Sequence, residues 1–252
     1  MRRVNGVMAE KKAIVFIVEG VSDERTIAAI RNYVPSKYGV YVHITRGDMF
    51  TRPGVRKNVK TRVTDQVRKI MNETKYRKQE ILAVIQLTDT DGVFVDDRDI
   101  EVNASVGRDP VYRESGIVVA NPGIQQYIQK RNKIKASELR TMCSADVIMN
   151  GIYYFIFYFS CNLDHVMHNN RNMTIEEKIN QSRAFERACR EQPDHFYHFF
   201  HDQPFAVQGS IDGTWDFIER GAHSVQRYSN FHLIFDMLDT LEQQKALEEN
   251  AR

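Results

Sequence analysis

The period of the apolar positions changes several times along the chain, and each change marks a strand or a helix. Residues 13–18 (AIVFIV) are an unbroken, β-branched apolar run that stops at Glu19-Gly20, the pattern of a strand buried on both faces of a parallel sheet. Ser22 then stands as a helix N-cap with Asp23 and Glu24 in the first turn, and Ile27, Ile30 and Val34 recur at helical spacing until Pro35 closes the helix. Residues 40–45 read as a second strand, 51–54 as a turn, and 61–74 as a helix with Val63, Val67, Ile70 and Met71 on one face. The next buried strand, 81–87, runs into Thr88-Asp89-Thr90-Asp91-Gly92.

Between 93 and 122 the pattern is polar and irregular, which predicts a long connection with one short extended stretch at 117–120. Asn121-Pro122 opens a helix to about Cys143. Residues 152–159 (IYYFIFYF) carry no charge and read as another buried strand, followed by Ser160-Cys161-Asn162-Leu163-Asp164. Helical spacing returns at 174–190, 215–219 and 229–250. This alternation predicts an α/β fold: a mostly parallel, Rossmann-like sheet of about four strands with helices on both faces, plus a helical C-terminal portion. The expected division is a tail at 1–12, an α/β domain at 13–168 and a helical extension at 169–252.

With 252 residues, 42% of them hydrophobic, the chain is long enough to bury roughly 70–75% of its unfolded surface without disulfides or a structural metal. Cys143, Cys161 and Cys189 are isolated and odd in number, which points to a reducing compartment and away from a zinc knuckle. The longest apolar run is too short for a membrane span, and 1–12 lacks a signal-peptide core. A cytoplasmic location and no membrane partner are expected. The net charge of +2 conceals an asymmetry, +8 over residues 1–150 and −6 over 151–252. Eleven basic residues fall between Arg46 and Lys78 against three acidic ones, either a solvated surface or a face for a polyanion such as nucleic acid.

Glu19 and the Asp89/Asp91 pair each follow an apolar strand, and in an open parallel sheet such positions share the carboxyl-end rim. Two carboxylates one residue apart at a glycine turn can face one hard cation, and Mg²⁺ (or Mn²⁺) suits oxygen ligands completed by water and substrate phosphate.

Val18-Glu19-Gly20-x-Ser22-Asp23 after the first strand, with Leu87-Thr88-Asp89-Thr90-Asp91-Gly92 after a later one, resembles the two motifs of the Toprim domain. That domain occurs in bacterial primases, topoisomerases, small ribosomal-RNA-maturing ribonucleases and the overcoming-lysogenization-defect nucleases, and the first motif looks most like the nuclease branch. The resemblance covers roughly residues 13–165. It implies a Toprim-like catalytic domain and a Mg²⁺-dependent nuclease, with Glu19 as general acid/base or metal ligand and Asp89 and Asp91 as catalytic, metal-holding residues. It also implies Asp23 as an extra acidic position for a second metal, and Asp164 as the acidic residue after a later strand, where Asp replaces the expected Glu. Nucleic acid, DNA or RNA, is the implied partner, gripped by Arg46, Arg52, Arg56, Lys57, Lys60 and Arg62; a second copy of the chain or a regulatory protein is a further implied partner. Host defence, including phage defence, or RNA processing is the implied setting. The chain has no zinc-binding cysteine set for a primase and no length for a topoisomerase gate.

Two other readings stay open. Asp89-Thr90-Asp91-Gly92-Val93 also resembles the nucleophile motif of haloacid-dehalogenase-like phosphatases, with Asp89 attacking phosphorus and Asp91 protonating the leaving group. A non-catalytic nucleic-acid-binding module is the third. His195, His198 and His201 lie three apart, but Phe196, Phe199 and Phe200 between them fit a packed aromatic helix rather than a metal face.

Overall fold

Strand β1 (Ala13–Val18) is buried along its whole length, and its alternate side chains enter two separate cores. Ile14, Phe16 and Val18 face one, and Ala13, Val15 and Ile17 the other, so both faces of the sheet are covered. The structure is a computed structural model describing residues 12–50 and 57–250. Residues 1–11 of the expected tail, the 51–54 turn, and Arg52 and Arg56 lie outside the described residues.

After β1 come α1 (Val21–Ile27), α2 (Ile30–Tyr38), β2 (Tyr41–Arg46), α3 (Val59–Thr74) and β3 (Ile81–Asp89). Three short strands follow, β4 (Ile100–Val102), β5 (Val111–Tyr112) and β6 (Ile117–Val119), then α4 (Pro122–Cys143), β7 (Val147–Ile148) and β8 (Ile152–Phe159). The remainder is helical: α5 (Leu163–His168), α6 (Ile175–Glu191), α7 (His195–His201), α8 (Ile211–Ile218) and α9 (Leu233–Asn250). The main sheet has the order β2-β1-β3-β8-β7. The first four strands are mutually parallel, and β7 is a short antiparallel edge.

The chain leaves β1 toward β2 on one side, and β3 returns on the other. The crevice at the carboxyl ends of β1 and β3 is therefore the topological switch point, where open α/β sheets place their ligands.

Three sequence expectations change. The N-cap of the first helix is Gly20, not Ser22: the Gly20 N–H donates to Asp23 Oδ2 at 2.7 Å, so Asp23 satisfies that donor. Pro35 sits inside α2, which continues to Gly39 (φ +63). Burial of Ile30, Val34 and Tyr38 along one face holds that helix despite the missing N–H, and the chain breaks earlier, between α1 and α2. The connection after residue 93 holds more than the one extended stretch expected at 117–120: that stretch is β6, and β4 and β5 join it in a second, three-stranded sheet. Strands of two or three residues are too short to show a period; Ile100, Ile117 and Val119 pack with Ile128 of α4 in a third core.

The last third of the chain is stitched to β8. Trp215 Nε1 donates to Ile156 O at 3.1 Å, and the Tyr158 N–H donates to Asn230 Oδ1 at 2.8 Å. Phe196, Phe200, Phe231 and Phe235 pack in the same core as β1 and β8. His198 Nδ1 and His201 Nδ1 each bond one oxygen of Asp202 on the surface. Among the described residues no helix is long and apolar enough to cross a membrane.

Candidate active site

The floor of the switch-point crevice is a backbone lock. Buried Thr90 donates its N–H to Phe159 O at 3.0 Å and its hydroxyl to Ser224 O at 2.6 Å, and that hydroxyl accepts from the Cys161 N–H at 2.8 Å. The Asp91 N–H donates to Cys161 O at 2.8 Å. Asp91 (φ +50) and Gly92 (φ +65) both adopt the left-handed conformation, which Asp tolerates and Gly adopts freely. A Cβ on Gly92 would stand 2.8 Å from Val225 Cγ1 and 2.9 Å from Ile117 Cδ1. The turn after β3 is thus fixed by residues from three elements, and it aims the Asp91 carboxylate into the crevice.

Five carboxylates gather on this rim. Glu19 follows β1 and accepts a hydrogen bond from the Thr88 hydroxyl. Asp89 ends β3, and its Oδ1 accepts from the Leu163 N–H at 2.9 Å. Asp23 lies in the first turn of α1 and Asp164 in the first turn of α5. Two lysines meet them. Lys135, on α4 and without solvent exposure, places Nζ 2.7 Å from Asp91 Oδ2 and 3.7 Å from Glu19 Oε1. Lys178, on α6, lies 2.6 Å from Asp164 Oδ2. Arg131 Nη2 donates to the Asp91 carbonyl at 2.7 Å.

The positive charge is unevenly shared, and the carboxyl groups respond accordingly. Burial, with Asp91 and Asp48 nearby, raises Glu19 to about 7 against the opposing pull of Lys135 and Thr88. Burial, with Asp164 and Asp91 adding, raises Asp23 to about 6. Asp89 is pushed well above the usual carboxylate range by burial and then by Asp23, Glu19 and Asp91. Asp91 behaves oppositely: burial acts to raise it, but Lys135 and Arg131 outweigh that and hold it below its ordinary value.

Of the expected nucleic-acid contacts, Arg46 ends β2 beside β1 and pairs with Glu24 at 3.2 Å. Lys57 pairs with Asp65 at 2.6 Å, and Lys60 is exposed on the first turn of α3. Because α3 leaves the carboxyl end of β2, these residues start on the same rim as the carboxylates. Arg62 is nearly buried; it donates to Met49 O and Lys57 O and pairs with Glu138 at 2.6 Å. Its donors moor the chain around the loop to α4.

Sequence reasoning missed Lys135, Arg131, Lys178 and Thr88. A signal for the first existed: Ile128, Asn132, Lys135, Leu139 and Met142 follow one helical stripe and all are buried, so a lysine occupies a core position. Among the described residues, no group of three or more His, Cys, Asp or Glu side chains forms a ready-made metal cage. Compared with protein-family models, curated proteins and solved structures, the chain matches none.

Proposed function

We propose that the chain is a Toprim-like, Mg²⁺-dependent nuclease that hydrolyses phosphodiester bonds in DNA or RNA. The observation that carries this reading is the meeting of the two motifs: Glu19 from the first and Asp91 from the second approach one ammonium group, Lys135 Nζ, at 3.7 and 2.7 Å. Carboxylates that converge on a positive charge at a switch point suit a phosphate-handling site.

The donor set also suits the metal. It is all oxygen, and three of its carboxyls are driven toward protonation in part by negative charge that the lysines leave unmet. Mg²⁺ is commonly held by one or two carboxylates plus water and substrate phosphate rather than by a full protein cage. Asp23 and Asp89, flanked by Glu19, Asp91 and Asp164, are the residues that would hold it, and Mn²⁺ suits the same donors. When bound, the ion supplies Lewis-acid polarisation of phosphoryl oxygens.

The chain's own residues divide the remaining work. Glu19, raised to about 7, is suited to accept or return a proton near neutral pH, and the Thr88 hydroxyl orients it. Lys135 and Arg131 fix the Asp91 turn. Arg46, Lys57 and Lys60 offer positive charge to a phosphate backbone along the rim.

The phosphatase alternative needs an ionised Asp89 nucleophile and a protonated Asp91 acid. The site has the reverse order, with Asp89 raised and Asp91 lowered. Hydrolysis of bis-p-nitrophenyl phosphate against p-nitrophenyl phosphate, with Mg²⁺ or Mn²⁺, separates the readings. Metal-dependent diester cleavage that is lost in Glu19→Gln supports the nuclease. Monoester cleavage lost in Asp89→Asn but kept in Glu19→Gln supports the phosphatase, and no turnover of either supports the binding module.

A further inference from the structure

We propose that the nucleic acid taken by the crevice is single-stranded, and that Tyr127 of α4 is the platform on which a base beside the bound phosphate stacks. The inference rests on the reading that the site handles a phosphodiester backbone, and it names the form of nucleic acid that fits.

Helix α4 presents one row of side chains to the site. Tyr127, Arg131 and Lys135 are spaced four residues apart, so they stand one above another on successive turns. Lys135 Nζ bonds Asp91 Oδ2 at 2.7 Å, and Arg131 Nη2 bonds the Asp91 carbonyl at 2.7 Å. The row runs from the interior to solvent: Lys135 has no exposure, Arg131 is half-buried and Tyr127 is 51% exposed. The Tyr127 ring is close enough to Arg131 to favour its charged form. An aromatic ring thus stands at the outer end of a row whose inner end touches the carboxylates.

Two other exposed apolar side chains belong to the same rim. Val21 opens α1 between Glu19 and Asp23, and Ile175 opens α6 three residues before Lys178, which pairs with Asp164 at 2.6 Å. The carboxylates themselves are recessed. Glu19, Asp91 and Asp164 keep only 17, 23 and 13% of their side-chain surface exposed, so a phosphate reaches them by entering the crevice.

A duplex meets these demands poorly. It carries its phosphates on a stiff cylinder with a persistence length of about 50 nm, so bending one backbone into a recess costs deformation energy, and its base faces stay stacked inside. Tyr127, Val21 and Ile175 would remain in water. A flexible single strand can lower a phosphate to the carboxylates and lay unpaired base faces on the ring and the apolar side chains beside it, with Arg131 adding positive charge.

Fluorescence anisotropy reads this directly. Labelled oligothymidylate, oligouridylate, an oligothymidylate–oligoadenylate duplex and an abasic deoxyribose-phosphate strand are titrated with the full chain in EDTA at one salt concentration. At least one of the two single strands should bind more tightly than the duplex. Tyr127→Ala should weaken that binding by about 5- to 150-fold, the worth of one stacked base, and Tyr127→Trp should keep it. The abasic strand, which has phosphates but no rings, should bind wild type and Tyr127→Ala alike, as a merely structural role for the ring would not allow. Duplex binding as tight as that of both single strands, no single-strand binding, or no weakening in Tyr127→Ala overturns the inference, and metal-dependent cleavage lost in Glu19→Gln would still leave the nuclease reading standing. Tyr127-dependent binding of a single strand, with no strand cut in Mg²⁺ or Mn²⁺, upholds the inference and overturns the nuclease reading.

Discussion

Lys135 Nζ donates to Asp91 Oδ2 at 2.7 Å, so a residue 44 positions downstream, on a different element, supplies the counter-charge for the turn after β3. The pair explains why one carboxyl of the cluster is held low while its neighbours are pushed high. A buried ion pair adds little by itself, but removing one partner strands the other.

Lys135→Met should therefore destabilise the chain by about 3–5 kcal/mol, read by urea denaturation. Adding Asp91→Asn removes the stranded carboxylate. The double variant should be less destabilised than the sum of the two singles, with a coupling of about 0.5–3 kcal/mol. Additive effects would mean that the two groups are not a pair.

Glu19 and Asp23 give the metal-free chain a pH dependence of defined sign. Both are acids raised in the folded state, to about 7 and about 6. The folded state thus binds their protons more tightly, and the stability they contribute is full below about pH 4 and is lost as pH rises to about 7. Glu19→Gln removes one of these protons from the balance. In EDTA its melting temperature should match wild type near pH 4 and exceed it at pH 8, with a gain on the order of 1–3 kcal/mol. A variant less stable than wild type at pH 8 would contradict the assignment.

Thr90 tests the floor of the crevice. Thr90→Val keeps the shape but removes one hydrogen bond each from Ser224 O and the Cys161 N–H, which still bond each other at 3.0 Å, and it should cost about 0.5–1.5 kcal/mol. Thr90→Ser, which keeps the hydroxyl, should recover most of that loss in the same denaturation assay.

Gly92→Ala meets two obstacles, a positive φ and side chains closer than van der Waals contact on either side. A loss of about 1–3 kcal/mol is expected, with the strain delivered to the Asp91 turn. Wild-type stability in this variant would show that β6 and the 223–225 segment yield freely.

The parts of the fold legible in the sequence are those where one physical cause dominates. β1, β3 and β8 are continuous apolar runs because both their faces are buried, and the rim position of Glu19, Asp89 and Asp91 follows from strand direction alone. Of the little sheet only β6 is legible, as the extended stretch at 117–120; β4 and β5 are too short and too polar to show a period. Pro35 misled because tertiary burial of Ile30, Val34 and Tyr38 outweighs one lost hydrogen bond. Arg62 counted as one more basic residue in a basic stretch, whereas its guanidinium is spent on Met49 O and Glu138. Charge composition cannot distinguish a mooring arginine from a free one. Lys135 was hidden for a related reason: α4 reads as an ordinary amphipathic helix until the lysine on its buried stripe is paired with carboxylates more than forty residues upstream.

Cleavage of a labelled panel of DNA and RNA, tRNA included, by wild type and Glu19→Gln in Mg²⁺, Mn²⁺ or EDTA addresses the nuclease assignment most directly. Cutting that requires the metal and falls by about 10²–10⁴-fold in Glu19→Gln is the predicted result. Cutting that persists in EDTA or in Glu19→Gln, or no cutting of any nucleic acid with either metal, would contradict it.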